Sequence, residues 1–314
     1  MRAIITGAAG FVGRHMVEFL KGKGYEVLAT YHTLPLDDIN FEKAQVKQVD
    51  VSNRGALRSL IYEFAPDEIY HLAGIAVTTG RDPDVYYRVN FYGTLKLFEA
   101  VREVAPQARV LYVGSAAAYG AVPPEKQPIR EEMPLTPVNH YAASKAAADV
   151  AACACAAQGL HIVRARPFNH TGPAQTTDYV CSRLAKEVAE VALGRTKPVI
   201  TAGNLDAARD FTDVRDVVRA YWLLLQKGRP GEAYNICSGR AYTVREIAET
   251  LAAIGGVKIT LQSLPKLQRR TDIPLLLGSA EKICCDTGWQ PEIPFQQTLA
   301  DLLDWWKGKL VTPA

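Results

Sequence analysis

The stretch MRAIITGAAGFVG, residues 1–13, decides the fold of this 314-residue chain. An apolar run at 2–6 predicts a β-strand, and three glycines separate it from a helical pattern that begins at once. Glycines at a strand–helix junction let the backbone turn sharply and approach a pyrophosphate, while the helix N-terminus supplies unpaired N–H groups. The pattern therefore predicts a dinucleotide-binding turn. We expect the cofactor to be held there by Gly7, Gly10, Phe11, Val12 and Gly13.

Strand and helix patterns alternate from this turn to about residue 165. Strands are predicted at 2–6, 26–30, 45–49, 68–71, 110–114 and 161–165. Helices are predicted between them at 11–21, 54–64, 88–104 and 142–158. Such alternation implies parallel strands joined by helical crossovers, which is an α/β fold with a doubly wound parallel sheet of the Rossmann type.

The pattern loosens after Arg166, where a loop rich in Thr, Gly and Pro (171–177) leads into further helices. These are predicted at 182–193, 213–227, 243–254 and 296–306. We expect a smaller C-terminal substrate-binding lobe built directly on the first. The NAD(P)-binding domain would comprise 1–168 plus about 211–238, and the nucleotide-sugar-binding lobe 169–210 and 239–314.

Composition excludes several classes of protein. A net charge of +3 gives no electrostatic reason to expect nucleic acid or a membrane surface as partner. The N-terminal residues run straight into a strand and leave no room for a signal peptide, so a cytoplasmic protein is expected. The six cysteines are scattered without metal-ligand spacing, so no metal site is expected.

The end of the second predicted strand bears on the choice between NAD and NADP. An acidic residue there would bind the adenosine ribose and repel a 2′-phosphate. This chain has Thr30-Tyr31-His32 and no acidic residue before Asp37, which slightly favours NADP(H) over NAD(H) and places Tyr31 beside the ribose. Asp50 and Val51, after the third strand, are candidates for the adenine, although an ordinary exposed carboxylate explains Asp50 equally well.

Tyr141 and Lys145 lie four residues apart, on one face of a predicted helix. A nearby ammonium group favours the phenolate, so Lys145 is expected to lower the pKa of Tyr141. Ser115 follows the fifth strand, at the carboxyl edge where open α/β sheets bind ligands. Its hydroxyl could orient a substrate carbonyl while Tyr141 exchanges a proton with it.

Several motifs carry a family resemblance. GAAGFVG, His71-Leu-Ala, Asn90-Phe-Tyr-Gly-Thr, GSAAAYG at 114–120 and YAASK at 141–145, in this order, resemble the extended short-chain dehydrogenase/reductases. RPFNHTGP at 166–173, RDFTDVRD at 209–216 and TGWQPEIP at 287–294 are most similar to the branch of GDP-mannose 4,6-dehydratases and GDP-6-deoxy-4-keto-mannose reductases. The resemblance spans essentially the whole chain and implies a GDP-sugar as the nucleotide-diphosphate sugar bound.

The resemblance also implies roles for individual residues. Ser115, Tyr141 and Lys145 would form the catalytic triad, with Lys145 also holding the nicotinamide ribose. The cofactor would further contact Leu72, Ala73, Gly74 and Asn90. The nucleotide sugar would contact Asn169, Val180, Lys186, Arg209, Arg269 and Asp272, with the two arginines on the diphosphate. An ordinary surface salt bridge remains the alternative for each arginine.

Departures from the family pattern narrow the reaction. The similar sugar 4,6-dehydratases carry a catalytic glutamate, and GDP-fucose synthase-like enzymes a reactive cysteine, at the position occupied here by Ala117. A methyl group cannot act as a base, which leaves NAD(P)H-dependent reduction of a C4 ketone or NAD-dependent 4-epimerisation. A non-catalytic NAD(P)-binding protein is a third interpretation, disfavoured because the triad is complete. His140 stands where relatives often have serine, and it could tune substrate fit or cap the helix.

Assembly is predicted from small residues on the helix that carries Lys145. The alanines and cysteines of 146–157 permit close helix packing, either within the chain or against a second subunit. Relatives commonly pair this helix and the one at 88–104 into a four-helix bundle. We therefore expect a homodimer.

Overall fold

A seven-stranded parallel sheet forms the centre of the protein. The computed structural model describes residues 1–33, 41, 44–76, 82–264 and 273–311. The strand order is β10-β6-β5-β4-β1-β2-β3, and every neighbouring pair is parallel. The strands are β1 (Arg2–Thr6), β2 (Glu26–Tyr31), β3 (Gln45–Gln48), β4 (Glu68–His71), β5 (Arg109–Val113), β6 (Ile162–Pro167) and β10 (Ala233–Ile236). The order reverses at β1, so the doubly wound α/β fold predicted from the sequence is confirmed.

Helices cover both faces of this sheet. One apolar layer joins α1 (Phe11–Gly22), α7 (Val214–Lys227) and α9 (Glu281–Thr287), around buried Met16, Tyr221 and Trp289. The other layer joins α2 (Arg54–Phe64), α4 (Thr94–Val104) and α5 (His140–Ala157). Burial of apolar side chains on both faces explains why the strands read as continuous hydrophobic runs.

The C-terminal part forms small sheets beside the carboxyl edge of the main one. In one of them β9 (Ala208–Asp213) pairs with β7 (Asn169–Thr171), β11 (Ala241–Thr243) and β13 (Leu275–Leu276). The other pairs β8 (Val199–Ala202) with β12 (Thr260–Ser263). Their apolar faces pack on α6 (Val180–Ala192), α8 (Val244–Gly255) and α10 (Phe295–Val311). Within the described ranges, no helix is long and apolar enough to cross a membrane.

The helix predicted at 88–104 differs from the expectation. The helical path begins earlier, with α3 (Pro83–Tyr86), where the Asp82 side chain accepts the Asp84 N–H at 3.0 Å. Residues Tyr87–Gly93 then form a π-helix that leads into α4. The Thr94 hydroxyl donates to the Asn90 carbonyl at 2.7 Å, a side-chain bond to the preceding turn that competes with regular helix hydrogen bonding. Segments of π-helix are frequent at functional sites.

Candidate active site

The glycine turn packs as closely as a phosphate-binding loop requires. Gly7 has a φ of +71°, and a Cβ there would lie 2.8 Å from the Ala73 backbone at the end of β4. A Cβ on Gly13 would lie 2.3 Å from the Gly7 oxygen, whereas one on Gly10 would meet only that oxygen, at 3.2 Å. Gly7 and Gly13 are thus needed for packing, and Gly10 leaves the approach to the helix open.

The N-terminus of α1 is arranged to receive an anion. Gly10 is its N-cap residue, without a side-chain cap, and the first turn has no acidic residue. Phe11 and Val12 are partly exposed. Uncapped N–H groups and the helix dipole together favour negative charge at this end. The predicted turn residues therefore fit a dinucleotide pyrophosphate.

His170, which sequence reasoning missed, packs beside this turn. Its ring stacks on Phe11 with centroids 6.2 Å apart and an interplanar angle of 7°. His170 Nδ1 lies 3.0 Å from the Phe168 carbonyl oxygen, and His15 Nε2 lies 3.0 Å from that of Pro173. The segment after β6 is thereby joined to α1. His170 is part of the NHTGP motif at 169–173, but only Asn169 of this motif was predicted to bind a ligand.

The carboxyl end of β2, Thr30 and Tyr31, carries no acidic side chain. Tyr31 is half-buried there, and His32 Nε2 lies 3.7 Å from Asp50 Oδ2. Asp50 is exposed and accepts the Ser52 N–H at 2.8 Å. Burial alone would raise the pKa of Asp50, but the Ser52 hydrogen bonds and the His32 charge outweigh it and lower this pKa. Val51 is buried beneath Gly93 of the π-helix.

Ser115 stands at the carboxyl edge of the sheet, just after β5. Its side chain caps a 3-10 turn (Ala116–Tyr119) by accepting the Ala117 N–H at 3.1 Å. This bond uses only the oxygen, so the hydroxyl hydrogen can still be donated to a partner. Ala117 lies partly exposed in the same turn and presents only a methyl group.

Tyr141 and Lys145 lie on α5 with Ser115 beside them, so the structure brings the predicted triad together. Burial raises the pKa of Tyr141, and hydrogen bonding with Ser115 lowers it in part. The expected lowering of this pKa by Lys145 is wrong for the structure, because desolvation of the phenol dominates. The Lys145 ammonium instead donates to the Val113 carbonyl at 2.8 Å, and burial lowers its pKa to about 8.

The segment after β4 passes between Asn90 and Lys145. A Cβ on Gly74 would lie 3.1 Å from Asn90 Oδ1 and 3.2 Å from Lys145 Nζ, so a larger residue there would push on both side chains. The Asn90 amide binds both polar groups of the Ile75 backbone, at 2.8 and 3.1 Å, and donates to Ser144 at 3.0 Å. Leu72, Ala73, Gly74 and Asn90 thus form one wall that continues from the glycine turn to the triad.

A buried ion pair connects the helix that carries Tyr141 and Lys145 to the turn that follows Ser115. Asp149, deep on α5, accepts two hydrogen bonds from the Arg166 guanidinium, at 2.9 and 2.8 Å, and pairs with Arg164 as well. Arg166 also donates to the Tyr119 hydroxyl at 2.9 Å. The pair therefore joins α5 to the turn that carries Ser115. The sequence signal was the single acidic residue inside an alanine-rich helix.

The predicted sugar-binding residues are distributed over the C-terminal part. Asn169 begins β7, Val180 begins α6, and Arg209 lies half-buried on β9, where it donates to its neighbour Ala208 O at 2.8 Å. Lys186 faces α10, with Nζ 3.7 Å from Glu190 and 5.6 Å from the centre of the Trp306 ring. Arg269 and Asp272 lie outside the described residues.

His140 has an identified contact. Its Nδ1 lies 3.1 Å from the Tyr87 hydroxyl, and the two rings meet edge to face. The cap of α5 is Asn139, whose side chain accepts the Ala142 N–H at 2.8 Å. Of the two roles left open for His140, helix capping is therefore wrong.

A parallel doubly wound sheet, a glycine turn with an uncapped helix, and a Ser–Tyr–Lys constellation at the carboxyl edge define an extended short-chain dehydrogenase/reductase. Residues 4–302 match the protein family described as GDP-mannose 4,6 dehydratase. The chain belongs to this family.

Relatives with different activities are similar to this chain over nearly its whole length. It is 34% identical to GDP-6-deoxy-D-mannose reductase of Pseudomonas aeruginosa, over 98% of both chains. It is 28% identical to GDP-mannose 4,6-dehydratase of Yersinia enterocolitica, over 96% of this chain and 92% of that one.

Solved structures of similar proteins have the same fold over nearly the whole chain. RMD from Pseudomonas aeruginosa complexed with NADPH superimposes with a TM-score of 0.87 at 32% identity, over 98% of this chain and 99% of that one. A putative epimerase from Burkholderia cenocepacia gives a TM-score of 0.89 at 36% identity, over 98% of both. The similar proteins are named as a reductase, a dehydratase and a putative epimerase, so the choice among these activities depends on the site.

Proposed function

We propose that the protein reduces the C4 ketone of a GDP-6-deoxy-4-keto-hexose, with NADPH or NADH as reductant. The observation that carries this proposal is the pairing of a complete Ser115–Tyr141–Lys145 triad with a methyl group at Ala117. The triad can deliver one proton to a carbonyl oxygen, and reduction of a ketone needs only that proton and a hydride. The similar reductase of Pseudomonas aeruginosa supports the choice.

The side chains have distinct tasks in this proposal. A bound reduced nicotinamide would supply the hydride that C4 of the sugar requires. Ser115 donates a hydrogen bond to the C4 oxygen and holds it within reach of Tyr141. Tyr141 gives its hydroxyl proton to that oxygen as negative charge develops there. Lys145 would hold the cofactor ribose.

The protonation state of Tyr141 suits this direction of reaction. Burial raises its pKa, so the phenol is protonated at neutral pH and can donate at once.

The cofactor would lie along the wall from the glycine turn to Lys145. Gly10 and the α1 N-terminus would receive the pyrophosphate, Asn90 and Gly74 would flank the nicotinamide end, and Tyr31 and Asp50 would face the adenosine. The β2 end carries no carboxylate to repel a 2′-phosphate, which slightly favours NADPH. The NADPH complex of the similar Pseudomonas aeruginosa structure is consistent with this preference.

The nucleotide sugar would lie against the lobe of residues 169–210 and 239–314, opposite the domain of residues 1–168 plus 211–238. Asn169 and Val180 would contact the sugar and base. Arg209 and Arg269 would bind the diphosphate with Asp272 on hydroxyls. Lys186 would have to leave Glu190 and Trp306 to take part.

A 4-epimerase is the second candidate. The putative epimerase from Burkholderia cenocepacia and the UDP-glucose 4-epimerase of Thermus thermophilus in complex with NAD, 29% identical, favour it. An epimerase would purify with bound NAD and consume none.

A homodimer is proposed through α5 and the π-helix with α4. On these elements Tyr92 is 54% exposed and Val150 is 62% exposed, although both are large and partly apolar. Their burial in a four-helix bundle would remove them from water. Light scattering should give twice the 34.4 kDa chain mass, and Val150→Glu should give the monomer.

A cofactor-consumption assay tests the proposed function. The protein is mixed with GDP-4-keto-6-deoxy-mannose and NADPH, and separately with NADH, and loss of reduced nicotinamide is followed. Stoichiometric oxidation that falls by about 10³-fold in Tyr141→Phe supports the reductase. If neither NADPH nor NADH is oxidised and the protein interconverts nucleotide hexoses with its bound NAD, the 4-epimerase replaces the reductase as the proposed function.

A further inference from the structure

His71 is a buried histidine that the proposed mechanism does not use. It ends β4 and is 1% exposed. Both ring nitrogens have hydroxyl partners: Thr6 Oγ1 lies 2.8 Å from Nδ1, and Thr94 Oγ1 lies 2.9 Å from Nε2. Thr6 comes from the end of β1, and Thr94 begins α4 directly after the π-helix.

The neighbouring bonds determine which nitrogen carries the proton. Thr94 donates its one hydroxyl hydrogen to the Asn90 carbonyl at 2.7 Å, so it must accept from Nε2–H of His71. Nδ1 of the neutral ring is then an acceptor, and the Thr6 hydroxyl donates to it. Thr6 in turn accepts the Ala73 N–H at 3.1 Å.

A chain of four hydrogen bonds, all in one direction, results. It runs from the Ala73 amide through Thr6, His71 and Thr94 to the Asn90 carbonyl. Burial lowers the pKa of His71 to about 3, with a further contribution from the Lys145 charge, so the ring stays neutral. A protonated ring would also place a second donor at Nδ1, where the chain requires an acceptor.

The far end of the chain meets the catalytic helix. Asn90 binds the Ile75 peptide through both atoms of its amide and donates to Ser144 Oγ at 3.0 Å. Ser144 donates to the Tyr141 carbonyl at 2.8 Å. Displacement of the Asn90 backbone would therefore move both the segment after β4 and the first turn of α5.

We propose that His71, held as the Nε2–H tautomer between Thr6 and Thr94, is a positioning residue that fixes Asn90 and the segment 72–75 at the nicotinamide end of the site. The proposal rests on the proposed function only in taking this segment as the wall of the cofactor site. Loss of the Thr94 hydroxyl would leave the Nε2–H of His71 without its acceptor and remove the hydrogen bond that Thr94 donates to the Asn90 carbonyl.

Two matched variants at Thr94 test the chain. Thr94→Val keeps the shape and removes the hydroxyl, whereas Thr94→Ser keeps the hydroxyl. The Kd of NADPH, measured by fluorescence titration, should rise about tenfold in Thr94→Val and stay within about twofold in Thr94→Ser. The KM of the nucleotide sugar should stay within about twofold in both. Thr94→Val with wild-type NADPH affinity, or Thr94→Ser as weak as Thr94→Val, would overturn the proposal.

A second readout, the tautomer of His71, is measured on the wild-type protein and needs no substrate. In protein labelled with [¹⁵N]histidine, the His71 signals are those missing from His71→Gln. At neutral pH they should show a protonated Nε2 and an unprotonated Nδ1. An Nδ1–H tautomer or a charged ring would refute the chain. A protein that reduces no nucleotide sugar would contradict the proposed function instead, because neither the tautomer nor NADPH binding depends on that activity.

Discussion

The ammonium group of Lys145 lies 2.8 Å from the carbonyl oxygen of Val113 and donates a hydrogen bond to it. The Lys145 carbonyl oxygen in turn accepts the Tyr112 hydroxyl at 2.9 Å. These two bonds join α5 to the carboxyl end of β5, just before Ser115. The groups proposed to orient and protonate the substrate therefore approach one point of the sheet edge from two elements.

Replacement of Lys145 by Met should increase the free energy of unfolding by about 1–2 kcal/mol at pH 7, because folding buries its charge. The pKa of Lys145 is about 8 in the folded chain, against 10.5 for an ordinary lysine. Between these values the unfolded chain binds more protons, so wild-type stability rises with pH and the advantage of Lys145→Met shrinks. Urea unfolding at pH 7 and above pH 10 measures this difference. The exposed Lys126→Met is the control, and a Lys145→Met advantage that grows with pH would contradict the account.

Gly10→Ala should weaken NADPH binding by about tenfold or more while leaving the fold nearly unchanged. The added Cβ would meet only the Gly7 oxygen, at 3.2 Å, but would occupy the approach to the α1 N-terminus. Gly22→Ala, in open space at the other end of α1, is the matched control and should raise stability by up to about 1 kcal/mol. Equal NADPH affinity in both variants would mean that the pyrophosphate lies elsewhere.

The sequence predicted the parts of the fold that depend on local pattern. Six of the seven strands of the main sheet, the glycine turn and the Tyr141–Lys145 spacing are short-range signals in runs of strong hydrophobic periodicity. The seventh strand, β10, was not predicted. The strands of the C-terminal part were missed because several are very short, such as Asn169–Thr171 and Leu275–Leu276, and pair with residues far along the chain. Short strands of mixed polarity carry no period of their own.

Features that depend on tertiary contacts could not be predicted from the local sequence pattern either. The π-helix at Tyr87–Gly93 ends at Thr94, whose hydroxyl contacts both His71 on β4 and the Asn90 carbonyl, and the local sequence does not reveal the contact with β4. The pKa of Tyr141 was expected to fall because an i, i+4 lysine is visible in the sequence. Burial of the phenol is not visible there, and burial proved the larger effect.

Turnover in D₂O should place no deuterium on C3 or C5 of the sugar. Removal of a proton from either carbon needs a base, and Ala117 occupies the position where related enzymes carry a glutamate or cysteine. NMR of the purified product measures this incorporation. Deuterium at C3 or C5 above that of an enzyme-free control would show that another residue supplies the base.

His140→Ser should keep kcat within about twofold of wild type, because the Tyr87 contact is exposed and Asn139 remains to cap α5. Asn139→Ala is the comparison and should lower stability by about 1 kcal/mol. Thermal unfolding and steady-state kinetics on both variants separate the two residues. A large loss of kcat/KM for the nucleotide sugar in His140→Ser alone would assign His140 to substrate recognition.

The proposed hydride transfer from the nicotinamide to C4 of a GDP-linked keto sugar, with Tyr141 as proton donor, can be tested by isotope labelling. GDP-4-keto-6-deoxy-mannose is incubated with NADPH that carries deuterium at both C4 positions of the nicotinamide, and the product is examined by NMR. We predict one deuterium at C4 of a GDP-6-deoxyhexose, one NADP formed per product, and loss of both in Tyr141→Phe. Unlabelled product, or deuterium at C4 with no net NADPH consumed, would contradict the proposed reaction.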